Sequence, residues 1–181
     1  MAKIFYLMGS SGSGKDSIIK KIRQRELPYL EVAHRYITRD WQAGGENHVA
    51  LSHSEFERRQ ELGMFALSWA ANEQCYGIGR EIEQWLAIGQ SVLVNGSRGY
   101  LEQARARYPD SLVAINIDVS TAILHERLTR RGRESSEQIQ RRLGRHSELS
   151  KNLPSHCLRI DNNQQIDQAV EQLLAIVEAH E

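Results

Sequence analysis

The chain has 181 residues, 40% of them hydrophobic, and its 23 Lys plus Arg balance 23 Asp plus Glu. That length supports one sizeable core but not two full domains, and the neutral balance excludes a global field that would draw the protein to nucleic acid or an acidic membrane surface. No apolar run could span a bilayer, and Cys75 and Cys157 stand far apart without metal-ligand spacing, so a reducing, cytoplasmic setting is expected.

Residues 4–8 form the first predicted strand, an apolar run after Lys3 that meets a glycine loop rather than a cleavage site and so does not read as a signal peptide. The loop is Gly9-Ser10-Ser11-Gly12-Ser13-Gly14-Lys15. Glycines at 9 and 14 followed by lysine, after a strand and before a helix, match the phosphate-loop pattern in its required context. The glycines let successive N–H groups point inward, the helix adds its positive end, and the lysine reaches the outer phosphates. One position departs from the pattern, because Ser or Thr should follow the lysine to ligate magnesium and here Asp16 stands with Ser17 behind it. Asp16 reads either as a replacement metal carboxylate or as a residue that favours a helix N-terminus by charge and capping.

Pro28 ends the first helix, and a strand is expected over 29–32. Between 34 and 79 the regular alternation fails: Gly44-Gly45, a short helical stretch at 54–62, and Trp69 and Tyr76 point to an insertion that forms a small substrate-binding lobe. The two aromatics are either lobe core or cleft lining. Further strands are expected at 92–94, 112–117 and 157–160. The strand at 92–94 ends in Asn95, where a magnesium-directed carboxylate could stand. Strands alternating with helices imply a three-layer α/β sandwich around a parallel sheet.

Arg127, Arg130, Arg131, Arg133, Arg141, Arg142 and Arg145 fall in one stretch that has only Glu134 and Glu137 against them. Ser135 three residues before Gln138 is a capping-box pattern, so a helix starts there and carries Ile139 and Leu143 inward, leaving 132–134 as a turn. Ile166, Ala169, Val170, Leu173, Leu174 and Val177 repeat at helical spacing and mark a final helix that covers one sheet face. No internal repeat or low-complexity segment interrupts the pattern. The expected organisation is one domain with a core (1–33, 80–125 and 152–181), a substrate-binding lobe (34–79) and an arginine-rich lid (126–151).

These residues resemble the guanylate kinase branch of the nucleoside monophosphate kinases over nearly the whole chain. The carriers are the phosphate loop, Ile37-Thr38-Arg39 with Gly45-Glu46, Tyr76-Gly77, Arg127-Leu128, Arg131-Gly132, Glu137, Ile139, Arg141-Arg142-Leu143 and Asn162-Asn163. The departures are informative. Guanylate kinases carry a second arginine where this chain has Gln42, a phosphate-binding tyrosine where it has His48, and a guanine-reading glutamate where it has Ser68. A site without its base-reading carboxylate leaves polar edges of guanine unpaired and discriminates the base poorly. The strings Gly9 through Asp16, Ala43-Gly44-Gly45-Glu46-Asn47-His48, Asn95-Gly96-Ser97-Arg98-Gly99 and Arg131-Gly132-Arg133-Glu134 are similar to the ribose 1,5-bisphosphate phosphokinase family of phosphonate degradation. That resemblance implies transfer of the ATP γ-phosphoryl group to a sugar bisphosphate, with ATP and Mg²⁺ as cofactors and no nucleic-acid or membrane partner.

In either reaction the acceptor is itself a phosphate, whose second pKa of about 6 leaves it largely dianionic at neutral pH, so no general base is needed. The chemistry reduces to bringing anions together and neutralising charge on the transferred group, which planar guanidinium groups suit. The resemblance assigns Gly9, Ser10, Ser11, Gly12, Ser13, Gly14, Lys15, Asp16 and Ser17 to ATP and magnesium. It assigns Arg131 and Arg142 to the transferred group and Arg127 to adenine, the alternative being a solvated helix face. Arg39 is expected to hold an acceptor phosphate, and Arg98 beside Asn95 either reaches the second phosphate of a bisphosphate sugar or lies on the surface. His48 and Asn47 offer hydrogen bonds to sugar hydroxyls or serve the loop itself. The competing functions are a guanylate or other nucleoside monophosphate kinase and, from another class, a non-catalytic guanylate-kinase-like interaction module. The intact glycines and Lys15 argue against the latter.

Overall fold

The first strand, β1 (Ile4–Gly9), is apolar on both faces. Phe5 and Leu7 project into one buried cluster with Ile18, Ile22 and Leu173, and Ile4, Tyr6 and Met8 into another with Ile82, Val94 and Leu101. A strand buried on both sides belongs in the interior of a parallel sheet. This computed structural model describes the chain except residues 133, 152 and 181, so Arg133 of the basic stretch lies outside the described residues.

After β1 come α1 (Lys15–Gln24), β2 (Leu30–Val32), β3 (Arg35–Ile37), β4 (Val49–Ala50), α2 (His53–Glu61), β5 (Phe65–Ala71), β6 (Gln74–Gly79) and α3 (Glu81–Ala87). Then follow β7 (Ser91–Asn95), α4 (Leu101–Arg107), β8 (Leu112–Asp118), α5 (Thr121–Arg131), α6 (Ser136–Lys151), β9 (Leu158–Asp161) and α7 (Ile166–Glu178). Single 3₁₀ turns form at Trp41–Ala43 and Arg98–Tyr100. The main sheet has the order β2-β7-β1-β8-β9 and every pairing in it is parallel. All five strands expected from sequence lie in it. Helices α1 and α7 cover one face through Ile18, Ile22, Val170 and Leu173, while α3 and α4 cover the other through Ile82, Leu101 and Ala104. The three-layer α/β sandwich is therefore present.

The capping box before α6 is formed, with Ser135 N donating to Gln138 Oε1 at 2.8 Å and Gln138 N to Ser135 Oγ at 3.3 Å. Ile139 and Leu143 do point inward, joining Leu124 and Leu128 of α5 in a third apolar cluster. Helix α5 ends where Gly132 turns left-handed at φ 63°.

The segment from 34 to 79 holds more order than its sequence suggests. Besides α2 it contributes a four-stranded sheet in the order β4-β3-β6-β5. The β5–β6 hairpin turns through Asn72 and Glu73, both at positive φ (50° and 61°). Such a turn is signalled most clearly by Asn-Gly, and a glutamate at its second position hides it. Trp69 stacks on Tyr76 and on Tyr100, with ring centroids 5.6 Å apart in each pair, so this aromatic column ties the small sheet to the loop after β7.

Candidate active site

The turn from β1 into α1 is built around two left-handed glycines, Gly12 (φ +90°) and Gly14 (φ +92°). Any side chain is strained at these angles, and a Cβ at Gly12 would also meet Leu124 Cδ1 at 2.9 Å. Gly14 caps α1 with no side-chain hydrogen bond, which leaves the first-turn amides of Lys15, Asp16 and Ser17 for an anion. The loop is braced from outside. The Ser13 carbonyl accepts from Asn162 Nδ2 at 2.6 Å and from Arg127 Nη1 at 3.4 Å, and Arg127 Nη2 donates to Asn162 O at 2.7 Å. Helix α6 reaches it twice: Arg142 Nη1 donates to Ser11 Oγ at 2.5 Å, and Ser10 Oγ hydrogen-bonds His146 Nδ1. Among the described residues the Lys15 ammonium hydrogen-bonds only Gly9 O, at 3.5 Å. Burial pushes this amine down to about 8, against the pull of Asp16 and Glu46.

Across from the loop, Asn95 at the end of β7 donates through Nδ2 to Asp16 Oδ1 at 3.2 Å and to Glu46 Oε2 at 3.3 Å. Glu46 also takes a two-pronged ion pair from Arg35 and lies 3.7 Å from Arg39. Burial alone would raise the Glu46 carboxyl, but the Arg35 hydrogen bond and charge outweigh it and hold the group below its usual range. Arg39 Nε, Asn95 Oδ1 and Ser13 Oγ are shielded from solvent and have no partner among the described residues. Buried polar atoms left open in this way mark places a polar ligand completes. The Asp16 carboxylate and the open Asn95 oxygen beside it are oxygen donors, which fits a hard divalent cation such as Mg²⁺.

Arg98 is not a surface residue. Its Nε donates to Asn116 Oδ1 at 2.9 Å beneath the C-terminal ends of β1 and β8, and the loop that carries it is fixed by the Tyr6 hydroxyl, which donates to Ser97 O at 3.0 Å and accepts from Ser97 N at 2.9 Å. Burial pushes the Tyr6 phenol up to about 12, so it remains neutral and can make both bonds. Of the two readings of His48, sugar binding and service to the loop, the structure has the second. The histidine is buried, with Nδ1 3.2 Å from Glu46 O and Nε2 3.0 Å from Arg39 O, so the ring braces the loop between these residues and its nitrogens do not face the cleft as sugar-binding groups would. Asn47 is likewise engaged, through Nδ2, with His34 Nε2 at 3.1 Å.

The basic stretch divides by helix face. Arg131 and Arg142 meet on one carboxylate oxygen, Glu134 Oε1, at 2.8 and 3.4 Å, while Arg130, Arg141 and Arg145 are exposed. Four residues around the loop escaped sequence reasoning as site residues: Arg35, Glu46, Asn116 and His146. Glu46 had a signal in the Gly45-Glu46 pair that carries the family resemblance, whereas Arg35 gains its position from its pair with Glu46, and Asn116 and His146 theirs from contacts 18 and 136 residues away.

The guanylate kinase family model matches residues 1–180. A ribose 1,5-bisphosphate phosphokinase PhnN from Yersinia pestis is 51% identical over 173 residues, covering 96% of this chain and 90% of that protein. The enzyme of the same name from Pantoea vagans is 49% identical over 181 residues, the full length of both. Among solved structures, guanylate kinase from Anaplasma phagocytophilum superposes with a TM-score of 0.74 at 17% identity, covering 99% of this chain and 86% of that one, which is a likeness of fold. Kinship that runs from the first residue to the last but one, around a phosphate loop with its glycines and lysine in place, makes this chain a member of the guanylate kinase family.

Proposed function

We propose that the chain transfers the γ-phosphoryl group of ATP to the 1-phosphate of ribose 1,5-bisphosphate, giving 5-phosphoribosyl 1-diphosphate and ADP. The observation that carries the chemistry is the gathering of Lys15, Arg35, Arg39 and Arg142 about the phosphate loop, with Arg39 Nε unpaired among the described residues. The acceptor is taken from the name of relatives about half identical over nearly the whole chain. An oxygen of the acceptor phosphate attacks the γ-phosphorus, the bond from that phosphorus to the β–γ bridging oxygen breaks, and the pair leaves with ADP. Lys15 and the loop amides hold the β- and γ-phosphates, Arg131 and Arg142 meet the transferred group, Arg127 borders the nucleotide, and Arg39 holds the acceptor phosphate. When bound, Mg²⁺ supplies charge neutralisation between the phosphates, with Asp16 as its carboxylate. On this reading 34–79 is the acceptor lobe, 126–151 the lid and the remainder the core. A reducing cytoplasmic setting suits the two free cysteines, and among the described residues no helix is long and apolar enough to cross a membrane.

The test is an ADP-release assay of purified protein against phosphorylated acceptors. Ribose 1,5-bisphosphate is expected to exceed GMP in kcat/KM by about 10³-fold or more, since Ser68, bonded to Gln60 Nε2 at 3.2 Å, offers no carboxylate to a guanine. Rapid turnover of GMP with none of the sugar bisphosphate reverses the assignment in favour of a nucleoside monophosphate kinase.

Asp16 gives a separate prediction. In Asp16→Asn and Asp16→Ser the magnesium concentration for half-maximal activity should rise about tenfold or more, while Asn95 keeps a partner at position 16 in the first. A magnesium titration identical to wild type in both variants would leave Asp16 as a helix-start residue only.

A further inference from the structure

We infer that Arg98, held in place by Asn116, forms an anion subsite separate from the acceptor-phosphate position at Arg39, and that this subsite takes the second phosphate of the acceptor and selects doubly over singly phosphorylated sugars. The inference rests on the proposed function. Its structural basis begins with a buried amide. Asn116 is 0% exposed in β8, a strand otherwise apolar up to its last residues. Burying an amide in such a strand costs free energy unless each end is paired. Asn116 pairs both: Oδ1 accepts from Arg98 Nε at 2.9 Å and Nδ2 donates to Asp118 Oδ1. The opposite polarity of those two partners fixes which way the amide points. Asp118 is committed in turn, with Oδ2 3.3 Å from Arg159 Nη1.

This chain of contacts uses only one edge of the Arg98 guanidinium. Nη1 and Nη2 are shielded from solvent and have no partner among the described residues. An arginine that serves only to hold the fold makes its terminal hydrogen bonds, because unmade buried donors cost about 1–3 kcal/mol each. Two free N–H groups at the end of a fixed fork match two oxygens of a phosphate. The local charge points the same way. Burial depresses the guanidinium, Asp118 is the opposing acid, and Arg159 adds a like charge. Asn116 pairs in register with Met8, one residue before Gly9 opens the phosphate loop, which puts the fork near that loop. Arg39 belongs to a different network, paired with Glu46 and sharing no partner with Arg98 among the described contacts. A one-phosphate acceptor would leave one of these arginine sites unfilled. A sugar phosphorylated at both ends fills both.

The experiment compares ribose 1,5-bisphosphate with ribose 1-phosphate, and adds calorimetric binding of ribose 5-phosphate, which carries only the second phosphate, with ADP present. In Arg98→Met the KM for the bisphosphate should rise about 100-fold, with kcat and the KM for ATP within about threefold of wild type and ribose 1-phosphate kinetics unchanged. Arg98→Lys should recover little, since it restores charge but not the fork. Asn116→Leu should move the same KM by about tenfold, acting through Arg98. Ribose 5-phosphate affinity should fall at least tenfold in Arg98→Met. Equal affinity for ribose 5-phosphate in wild type and Arg98→Met, or equal losses on both acceptors, overturns the subsite. Arg98-dependent binding of ribose 5-phosphate in a protein that does not turn over the bisphosphate keeps the subsite and rejects the proposed reaction instead.

Discussion

Lys15→Ala should lower kcat/KM for ATP by about 10³-fold or more while leaving the melting temperature within a few degrees of wild type. The separation of the two effects follows from how the lysine is held. Among the described residues its ammonium makes one hydrogen bond, to Gly9 O at 3.5 Å, and its folded-state pKa is down at about 8 because the site desolvates it. Below pH 8 the amine is protonated in both folded and unfolded chains, so the folded state bears the full cost of keeping that charge. Between about 8 and the ordinary lysine value of 10.5 the unfolded chain holds more protons, and stability rises with pH. Removing the amine at neutral pH therefore relieves a cost rather than breaking a support. The same pKa predicts that kcat/KM, which reports on the free enzyme, declines as pH rises through about 8. The kcat limb should hold to higher pH, because bound phosphates favour the charged amine. Wild-type turnover in Lys15→Ala would remove the phosphate-transfer assignment, and a pH profile of kcat/KM flat through 8 would show that the free lysine is not desolvated.

Elements whose meaning is local were legible in the sequence. The strand at 4–8, the glycine loop, the Ser135–Gln138 capping box and the apolar spacing of α7 each carry their signal within a few residues, and the structure has each of them. The small sheet was not legible, because β3 has three residues and β4 two, too few for a period-two pattern, and because Glu73 masks the hairpin turn. Within the site, residue type proved a better guide than side-chain direction. His48 has the chemistry to bind a hydroxyl, yet its two flanking carbonyls turn it into the loop. Asn116 and His146 lie 18 and 136 residues from Arg98 and Ser10, the side chains they hold. No spacing rule reaches that far.

Electrostatics explain why one acid sits among so many bases. The cationic groups gathered about the phosphate loop repel one another, and Glu46 offsets part of that by pairing with Arg35 and lying near Arg39 and Lys15. Glu134 has the corresponding place in the arginine-rich stretch, where its oxygen meets both Arg131 and Arg142. Each carboxylate keeps guanidinium groups gathered without filling every donor, so an arriving phosphate adds to an assembled site instead of ordering long side chains from solution.

Arg142→Ala should lower kcat by about 10³-fold, with a KM for ATP changed no more than several-fold. Arg142 stands on α6 with Nη1 on Ser11 Oγ at 2.5 Å, which brings its guanidinium onto the phosphate loop, and its other nitrogen shares Glu134 with Arg131. The loss should fall on kcat because charge on the transferred group is greatest in the transition state, when the group is bonded fully to neither oxygen. The ground-state phosphates keep Lys15 and the loop amides. Stability should change little, since the Arg142 side chain is 38% exposed and Glu134, itself only 6% exposed, keeps its ion pair with Arg131. Arg142→Lys should stay near the alanine level, because an ammonium cannot hold two oxygens in one plane. Arg131→Ala should be comparable, and the double variant less than the sum of the two in free energy, since both arginines rest on the same glutamate oxygen. Single-turnover kinetics with saturating ATP measure the step directly: a rate within tenfold of wild type in a folded Arg142→Ala enzyme would take the residue out of the chemistry and leave it a brace between α6 and the loop.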